Sequence, residues 1–190
     1  MTTAKSILIT GATRGLGENL ARQFAARGYR LALTGRKQED LDRLGDELKA
    51  QAADIVLETL DVSDFDSISG VIVRCAERLG GLDIVIVNAG VAFNAPAGKG
   101  HFDLMRQTID VNLTGAIATS EAAIELFRRQ GGGQLVGISS VAAIRGTRGQ
   151  GAYCATKAGF SRYLESVRVE TLREPIVITD LAPGYIDTDL

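Results

Sequence analysis

Six short apolar runs, separated by segments with helical spacing, constrain the fold of this chain more than any other feature. Each run is nearly continuous rather than alternating with polar residues, as expected for strands buried on both faces of a parallel sheet. The runs are residues 6–10, 29–34, 54–60, 83–88, 134–139 and 176–181. Strands that alternate with helices through right-handed crossovers form a doubly wound sheet. The sequence therefore predicts an α/β fold with strand order 3-2-1-4-5-6 and helices on both faces.

The segments between these runs have the periodicity of amphipathic helices. Apolar residues recur every three or four positions in residues 15–27, 38–51 and 64–79. Two longer helices are predicted from about residue 101 to 129 and from about residue 151 to 172. A chain of 190 residues suffices for one domain with a well-filled core and is too short for two. Ligands bind at the carboxyl ends of the strands in such a sheet, so the residues directly after each strand are the candidate site.

Charge and composition argue against several kinds of partner. The formal net charge is −2 and the basic residues are scattered, which gives no reason to expect binding to nucleic acid or to an anionic membrane. The apolar run at the N-terminus is far shorter than a signal-peptide core or a membrane span. Cys75 and Cys154 have neither metal-ligand nor redox spacing, and the single histidine, His101, is interpreted as a solvated loop residue. We therefore predict a cytoplasmic protein without a bound metal.

A glycine-rich loop joins the first predicted strand to the first predicted helix. Its residues run Thr10-Gly11-Ala12-Thr13-Arg14-Gly15-Leu16-Gly17. Glycines allow a sharp turn and let a pyrophosphate approach the N-terminus of the helix, where unpaired N–H groups and the helix dipole favour anions. Turns use glycine in any case, but the strand before this loop and the helix after it favour a Rossmann-type dinucleotide site. The predicted cofactor contacts in the loop are Gly11, Thr13, Arg14, Gly15, Leu16 and Gly17.

The end of the second predicted strand indicates which nicotinamide cofactor would fit. NAD-binding sheets place an acidic residue there, which bonds the ribose 2′-hydroxyl and would repel a 2′-phosphate. This chain reads Thr34-Gly35-Arg36 at that position, and Arg14 lies in the glycine loop. Two guanidinium groups can hold a phosphate dianion through charge-assisted hydrogen bonds. The sequence thus predicts NADP(H) as the cofactor, the alternative being that both arginines are ordinary solvated side chains.

Ser140, Tyr153 and Lys157 are the candidate catalytic residues. A tyrosine four residues before a lysine is common by chance, but helical spacing puts both on one face, and Ser140 follows the fifth predicted strand closely. All three should therefore reach the edge where the cofactor is expected. A free tyrosine is too weak an acid for efficient proton exchange near neutrality, and a lysine ammonium about 5 Å away would favour its ionised form by roughly 3 kcal/mol. Ser140 would donate a hydrogen bond that polarises the substrate oxygen.

Together these motifs resemble the classical short-chain dehydrogenase/reductase family, from the first strand to the end of the chain. The other matching residues are Asp61 after the third strand, Asn88-Ala89-Gly90 after the fourth, Asn112 in the sequence DVNLTG, and Pro183-Gly184 followed by Thr188. The resemblance implies an NADP(H)-dependent oxidoreductase that interconverts a carbonyl and a secondary alcohol on a small organic substrate, by hydride transfer with tyrosine acid/base catalysis. The alternative is a dinucleotide-sensing protein of the same fold without catalysis.

The resemblance also implies roles for individual residues. Contacts with the adenine and ribose of the cofactor are implied for Asp61, Val62, Asn88, Ala89 and Gly90. Further cofactor contacts are implied for Tyr153, Lys157, Pro183, Gly184 and Thr188. Asn112 would complete a catalytic tetrad with the serine, tyrosine and lysine by helping to hold a water chain behind the lysine. On residue evidence alone, Asp61 could be an ordinary cap, and Asn88 to Gly90 an ordinary strand-ending turn.

The resemblance departs from the family at the C-terminus. Family members normally continue past the proline-glycine turn into a substrate-covering segment and a seventh strand, whereas this chain ends at Leu190. Residues 176–181 would then form an apolar edge strand, so we expect residues 1–190 to be a C-terminally incomplete domain, the alternative being that a partner subunit covers this edge. The resemblance also implies a homodimer or homotetramer, packed through the helices that precede and carry Tyr153. Arg145 and Arg148 could approach an anionic substrate, although the sequence alone favours ordinary solvation.

Overall fold

Six parallel strands form one sheet in the computed structural model, which describes residues 4–186. The strands are β1 (Ser6–Ile9), β2 (Arg30–Gly35), β3 (Asp54–Thr59), β4 (Ile84–Val87), β5 (Gly133–Ile138) and β6 (Ile176–Leu181). Their order is β3-β2-β1-β4-β5-β6, and every neighbouring pair is parallel. The predicted fold class and strand order are confirmed, and no predicted strand end differs from the observed one by more than a residue.

Helices connect the strands throughout the described residues. They are α1 (Gly15–Ala25), α2 (Gln38–Leu48), α3 (Phe65–Leu79), α4 (Phe102–Ile109), α5 (Ala116–Gln130) and α6 (Gly151–Glu170). A π-helical turn, Asp110–Gly115, separates α4 from α5. The sequence predicted one continuous helix from about residue 101 to 129, so this interruption corrects that expectation.

Contacts with distant segments accompany the π-helical turn. Its Asn112 side chain bonds the backbone of Val91, and its Gly115 lies against Val62, where a Cβ would be 2.3 Å from the Val62 carbonyl oxygen. One extra residue in a helical turn changes the apolar period very little. Helical periodicity therefore could not reveal the interruption.

The helices cover the two faces of the sheet with separate apolar cores. α1 and α2 pack against side chains such as Ile7 and Ile9 of β1, whereas α3, α5 and α6 pack against the opposite face, where Leu8 lies. Successive residues of one strand thus enter different cores, because side chains alternate across a strand. β6 forms one edge of the sheet, as expected, and within residues 4–186 its Val177 and Leu181 are exposed.

Candidate active site and cofactor groove

The loop between β1 and α1 has a backbone that fits an anion. Gly11 and Gly15 have φ angles of 65° and 57°, in the left-handed region that favours glycine. Gly17 lies so close to the start of the loop that a Cβ there would be 2.2 Å from the Gly11 carbonyl oxygen. The N-cap residue of α1, Arg14, makes no side-chain capping hydrogen bond, so the first N–H groups of the helix are left for a ligand. The loop therefore fits the pyrophosphate of a dinucleotide.

Hydrogen bonds between Thr10 and Asn88 join the ends of β1 and β4. The backbone N–H groups of Asn88 and Ala89 donate to Thr10 Oγ1 at 3.0 and 3.1 Å. The side-chain amide of Asn88 donates in turn to the carbonyl oxygens of Thr10 and Gly11 at 2.9 and 3.1 Å. Asn88 thereby holds the glycine loop in place. Sequence reasoning missed this role of Thr10, although a hydroxyl residue at the end of a buried strand was a usable signal.

A groove of about 260 Å³ runs along the carboxyl ends of β1, β2 and β4. The predicted cofactor residues that line it are Gly11, Thr13, Arg14, Leu16, Gly17, Arg36, Asp61, Val62, Asn88, Ala89 and Gly90. The predicted contacts that do not line it are Gly15, Tyr153, Lys157, Pro183 and Gly184, and Thr188 lies outside the described residues. The lining residues that sequence reasoning missed are Gly35, Lys37, Asp40, Leu60, Val91 and Val111. Lys37 directly follows Arg36, so the sequence could have predicted a further cation at the end of β2.

The charges along the groove favour an anionic ligand at the end of β2. Arg14 and Arg36 are exposed on the groove, and among the ion pairs within residues 4–186 neither takes part. Asp61 accepts hydrogen bonds from Ser63 Oγ and N at 2.6 and 2.9 Å. These bonds, and the charge of Arg36, hold the pKa of the Asp61 carboxyl below its ordinary value. The loop, the groove and the two unpaired guanidiniums together fit a dinucleotide cofactor.

Tyr153 and Lys157 lie together on α6, and Lys157 contacts the carboxyl end of β5, which Ser140 follows. Lys157 is 5% exposed, its Nζ lies 5.8 Å from the centroid of the Tyr153 ring, and it donates a 2.7 Å hydrogen bond to the carbonyl oxygen of Ile138. Ser140 follows the last residue of β5 closely, and its Oγ accepts a 3.1 Å hydrogen bond from the N–H of Ala142. Because that bond uses a lone pair of Oγ, the hydroxyl proton is left to donate to a substrate oxygen.

Asp180 of β6 is the carboxylate that acts on Lys157. It lies opposite Gly137 in the register with β5, one residue before the Ile138 carbonyl that Lys157 bonds. Its Oδ1 is buried without a hydrogen-bond partner in the described part of the chain. Burial lowers the pKa of Lys157 from 10.5 to about 8, and the negative charge of Asp180 opposes this effect. Asp180 therefore helps to keep the lysine charged near neutral pH.

The two remaining polar residues next to this cluster have backbone partners. Ser139 Oγ bonds the Lys157 carbonyl oxygen at 3.3 Å and Ser161 Oγ at 2.7 Å, so this hydroxyl is used within the packing of β5 against α6. Asn112 is buried, and its carboxamide bonds both the N–H and the carbonyl of Val91 at 2.8 and 2.7 Å. Asn112 thus ties the π-helical turn to the segment after β4, and its catalytic role stays a prediction.

Other reactive groups offer no second site in the region that the structure describes. Cys75 is buried, and desolvation raises the pKa of its thiol to about 12, which leaves it protonated and unreactive. Cys154 is also buried. Residues 4–186 contain no group of three His, Cys, Asp or Glu side chains that could hold a metal ion. No helix among the same residues is long and apolar enough to cross a membrane.

A phosphate-binding loop that opens the first helix of a doubly wound sheet is typical of dinucleotide-dependent oxidoreductases. The chain belongs to the short chain dehydrogenase family, whose profile it matches over residues 5–190. An uncharacterized oxidoreductase of Mycobacterium tuberculosis is 41% identical, over 99% of this chain and 76% of that protein. The 3-oxoacyl-acyl-carrier-protein reductase of Staphylococcus aureus is 31% identical, over 100% of this chain and 78% of the reductase.

Solved structures support the same assignment. Levodione reductase superposes with a TM-score of 0.92 at 30% identity, covering 100% of this chain and 74% of the reductase. A variant of actinorhodin polyketide ketoreductase, crystallised with NADPH, superposes with a TM-score of 0.93 at 26% identity, with the same coverage of 100% and 74%. The protein is therefore an oxidoreductase of the short-chain dehydrogenase/reductase family, a family that binds nicotinamide dinucleotides.

Replacing Gly17 with alanine is expected to weaken nicotinamide dinucleotide binding at least tenfold and to destabilise the fold by about 2 kcal/mol. The added methyl would meet the Gly11 carbonyl at 2.2 Å, so the loop would have to move away from the helix N-terminus. Fluorescence titration of the cofactor and urea unfolding measure the two effects. Gly70→Ala in α3 is the control, because its methyl would meet only the end of the Arg74 side chain. Unchanged cofactor affinity in Gly17→Ala would show that the loop does not bind the pyrophosphate.

Proposed function

We propose that the protein is an NADP(H)-dependent oxidoreductase that interconverts a carbonyl and a secondary alcohol. The observation that carries this proposal is the buried Lys157 ammonium 5.8 Å from the Tyr153 ring, close to Ser140 at the carboxyl edge of the sheet. An acid, a cation that tunes it and a hydroxyl donor are what carbonyl reduction requires from the protein. The names of the relatives, which include reductases, support the same chemistry.

Each of the three side chains has a separate task in the proposed reduction. The nicotinamide cofactor, when bound, supplies the hydride. Tyr153 delivers its phenolic proton to the substrate oxygen, which becomes the hydroxyl of the alcohol. Ser140 donates a hydrogen bond to the same oxygen and stabilises its developing negative charge. At a separation of about 5 Å and an effective dielectric constant near 20, the charge of Lys157 would favour the tyrosinate by about 3 kcal/mol. In alcohol oxidation the same groups act in reverse, with the tyrosinate as the base.

The direct test follows NADPH absorbance against a panel of ketones and aldehydes. Oxidation of NADPH that depends on both the carbonyl compound and the enzyme supports the proposal. NADPH binding without turnover of any member of a broad panel would contradict it and would favour a dinucleotide-sensing protein instead.

Arg36→Ala is expected to weaken NADPH binding by ten- to a hundredfold while changing NADH binding little. A guanidinium that bonds the 2′-phosphate contributes roughly 1.5–3 kcal/mol, and NADH lacks that phosphate. Arg14→Ala should have the same effect, since Arg14 is also exposed on the groove. Arg173→Ala is the matched control, because Arg173 is exposed and lies just before the amino end of β6, at the edge of the sheet opposite the groove. Fluorescence titration with both cofactors gives the affinities, and a wild type that binds NADH more tightly than NADPH would contradict the NADP assignment.

Self-association, which rests on the family, and a cytoplasmic location, which rests on the cysteine spacing and the N-terminal sequence, are further parts of this proposal. The apolar side chains of α5 are largely used inside the subunit, because Ala123, Ile124 and Phe127 are buried in its core. The sequence of α5 therefore adds little support for a helix-mediated dimer. Sedimentation equilibrium would test the proposed homodimer or homotetramer, and a monomer at micromolar concentration would contradict it.

A further inference from the structure

Arginine side chains without a partner are concentrated at the carboxyl edge of the sheet. Within residues 4–186, most arginines bond a carboxylate, an amide oxygen or a backbone carbonyl, as Arg22, Arg74 and Arg128 do. The arginines with no such bond in this part of the chain are Arg14, Arg36, Arg145, Arg148 and Arg173. Arg14 and Arg36 line the cofactor groove. Arg145 and Arg148 do not line it, so the cofactor does not explain them.

Arg145 and Arg148 belong to the short loop between Ser140 and Tyr153, the two residues proposed to hold the substrate oxygen. The loop is fixed by a hydrogen bond to the segment after β4 and by another within the loop itself. The N–H of Ala95 donates to the Gly149 carbonyl at 2.8 Å, and the N–H of Gln150 donates to the Thr147 carbonyl at 3.2 Å. Chain connectivity therefore keeps Arg145 and Arg148 near a substrate whose carbonyl lies between Ser140 and Tyr153.

Two of the segments that border this space carry positive charge and no carboxylate, whereas the third, which includes Pro183, follows Asp180, whose charge acts on Lys157. Residues 88–102 contain Lys99, and residues 140–161 contain Arg145, Arg148 and Lys157, while neither segment contains an aspartate or glutamate. This absence is informative because the chain as a whole has more acidic than basic residues, 23 against 21. Arg145 and Arg148 are exposed cations that no carboxylate of these two segments balances, and such cations next to a binding site raise the local concentration of anions.

Apolar side chains stand next to these arginines. Ile144, adjacent to Arg145, is 85% exposed in the described structure, and Val141 is 44% exposed. Val141 is held at the site because its N–H donates to the Pro183 carbonyl at 3.0 Å. An exposed apolar surface beside unpaired guanidiniums matches a ligand that has both an apolar body and a negative charge.

We propose that the substrate is an anionic carbonyl compound, whose carboxylate or phosphate binds Arg145 and Arg148 while its apolar body lies on Val141 and Ile144. This inference rests on the proposed function, because it places the reacting carbonyl between Ser140 and Tyr153. Guanidinium groups suit this task, since they remain charged at all working pH values and bond carboxylates and phosphates in a bidentate manner.

The test compares anionic and neutral members of matched substrate pairs with NADPH as reductant. The carboxylate pair is levulinate and its methyl ester, and the phosphate pair is hydroxyacetone phosphate and hydroxyacetone. In the wild type, kcat/KM for the anionic member of at least one pair is expected to exceed that of the neutral member about tenfold or more. The preferred pair identifies whether the anion is a carboxylate or a phosphate.

The variants Arg145→Gln and Arg148→Gln, and their combination, assign the preference to these side chains. The combined variant should lower the ratio of anionic to neutral kcat/KM about tenfold or more, chiefly by raising KM for the anionic substrate. Added salt should lower the same ratio in the wild type, because it screens the charges. Arg173→Gln is the matched control and should leave the ratio and the NADPH affinity unchanged. Equal kcat/KM values within both pairs, or a ratio that the combined variant retains, would overturn the inference.

A binding measurement separates failure of this inference from failure of the proposed function. Thermal unfolding of the NADPH-bound protein is followed with each probe, which requires no turnover. If neither these probes nor any member of the carbonyl panel is reduced, but an anionic probe raises Tm and the combined variant loses that increase, the proposed reaction is wrong and the anion site stands. If no probe is reduced and anionic and neutral probes shift Tm equally, the anion site is overturned as well.

Discussion

Tyr153→Phe is expected to lower kcat for carbonyl reduction by about a thousandfold. General acid catalysis by a positioned side chain contributes roughly 10²–10⁴ in rate, and phenylalanine has no proton to give. The substitution retains the aromatic ring beside Lys157, so the packing of α6 against β5 should remain. The loss should therefore appear in kcat, with the affinity for NADPH changed by less than about twofold. Single-turnover oxidation of bound NADPH, mixed rapidly with excess ketone, measures the chemical step directly.

Tyr29→Phe is the matched control for this substitution. Tyr29 packs edge-on against Phe24 with ring centroids 5.2 Å apart, on the other side of the sheet from α6, and removing its hydroxyl should leave kcat unchanged. Near-normal turnover by Tyr153→Phe with a good substrate would mean that another group, or water, supplies the proton. That result would leave the fold and the cofactor groove as described, and would remove only the assigned acid.

The fold could be predicted from the sequence because its signals are local. The continuous apolar runs indicated buried parallel strands, and the glycines before α1 indicated a close approach to a phosphate. The π-helical turn and the bonds from Asn112 to Val91 depend on segments that meet only after folding. The effect of Asp180 on Lys157 likewise depends on the register between β5 and β6, which the spacing of residues does not give.

The difference between local and long-range signals also applies to arginines that form no ion pair within residues 4–186, namely Arg14 and Arg36 on the groove and Arg145 and Arg148 in the loop before α6. The position of Arg36 at the end of a strand predicted that it lines the ligand groove, because strand ends are where such sheets bind ligands. Arg145 and Arg148 lie in an irregular loop, and exposure alone is the ordinary state of an arginine. Two other observations single them out. The hydrogen bond from Ala95 to Gly149 fixes their loop, and residues 88–102 and 140–161 contain no carboxylate.

Lys157→Met is expected to lower kcat about a hundredfold and to raise the free energy of unfolding at neutral pH by about 2 kcal/mol. The rate falls because the roughly 3 kcal/mol of charge stabilisation at the tyrosine is lost. The variant is more stable because methionine removes the charged amine that folding must bury in the wild type. That burial lowers the pKa of Lys157 from 10.5 to about 8. Burying the charged amine therefore costs the wild type about 3 kcal/mol of folding free energy. The methionine variant avoids this cost but loses the hydrogen bond to the Ile138 carbonyl, worth about 1 kcal/mol, which leaves a gain of about 2 kcal/mol.

The pH dependence of this stability difference has a definite sign. Below pH 8 the lysine is protonated in both the folded and the unfolded protein, so the wild type bears the full cost. Between pH 8 and pH 10.5 the unfolded chain binds more protons than the folded one, so wild-type stability rises with pH. The advantage of the methionine variant should therefore be largest below pH 8 and should fall as the pH approaches 10.5. Urea unfolding across this range measures it.

Lys49→Met is the matched control, because Lys49 is exposed at the end of α2 and forms only a surface ion pair with Asp46. It should change neither kcat nor the pH dependence of unfolding. A Lys157→Met variant that is less stable than the wild type at neutral pH would mean that the ammonium stabilises the folded protein. Asp180 would then compensate the burial of Lys157 fully. A gain in stability together with a loss of rate would instead identify Lys157 as a charge that the fold retains for catalysis at the expense of stability.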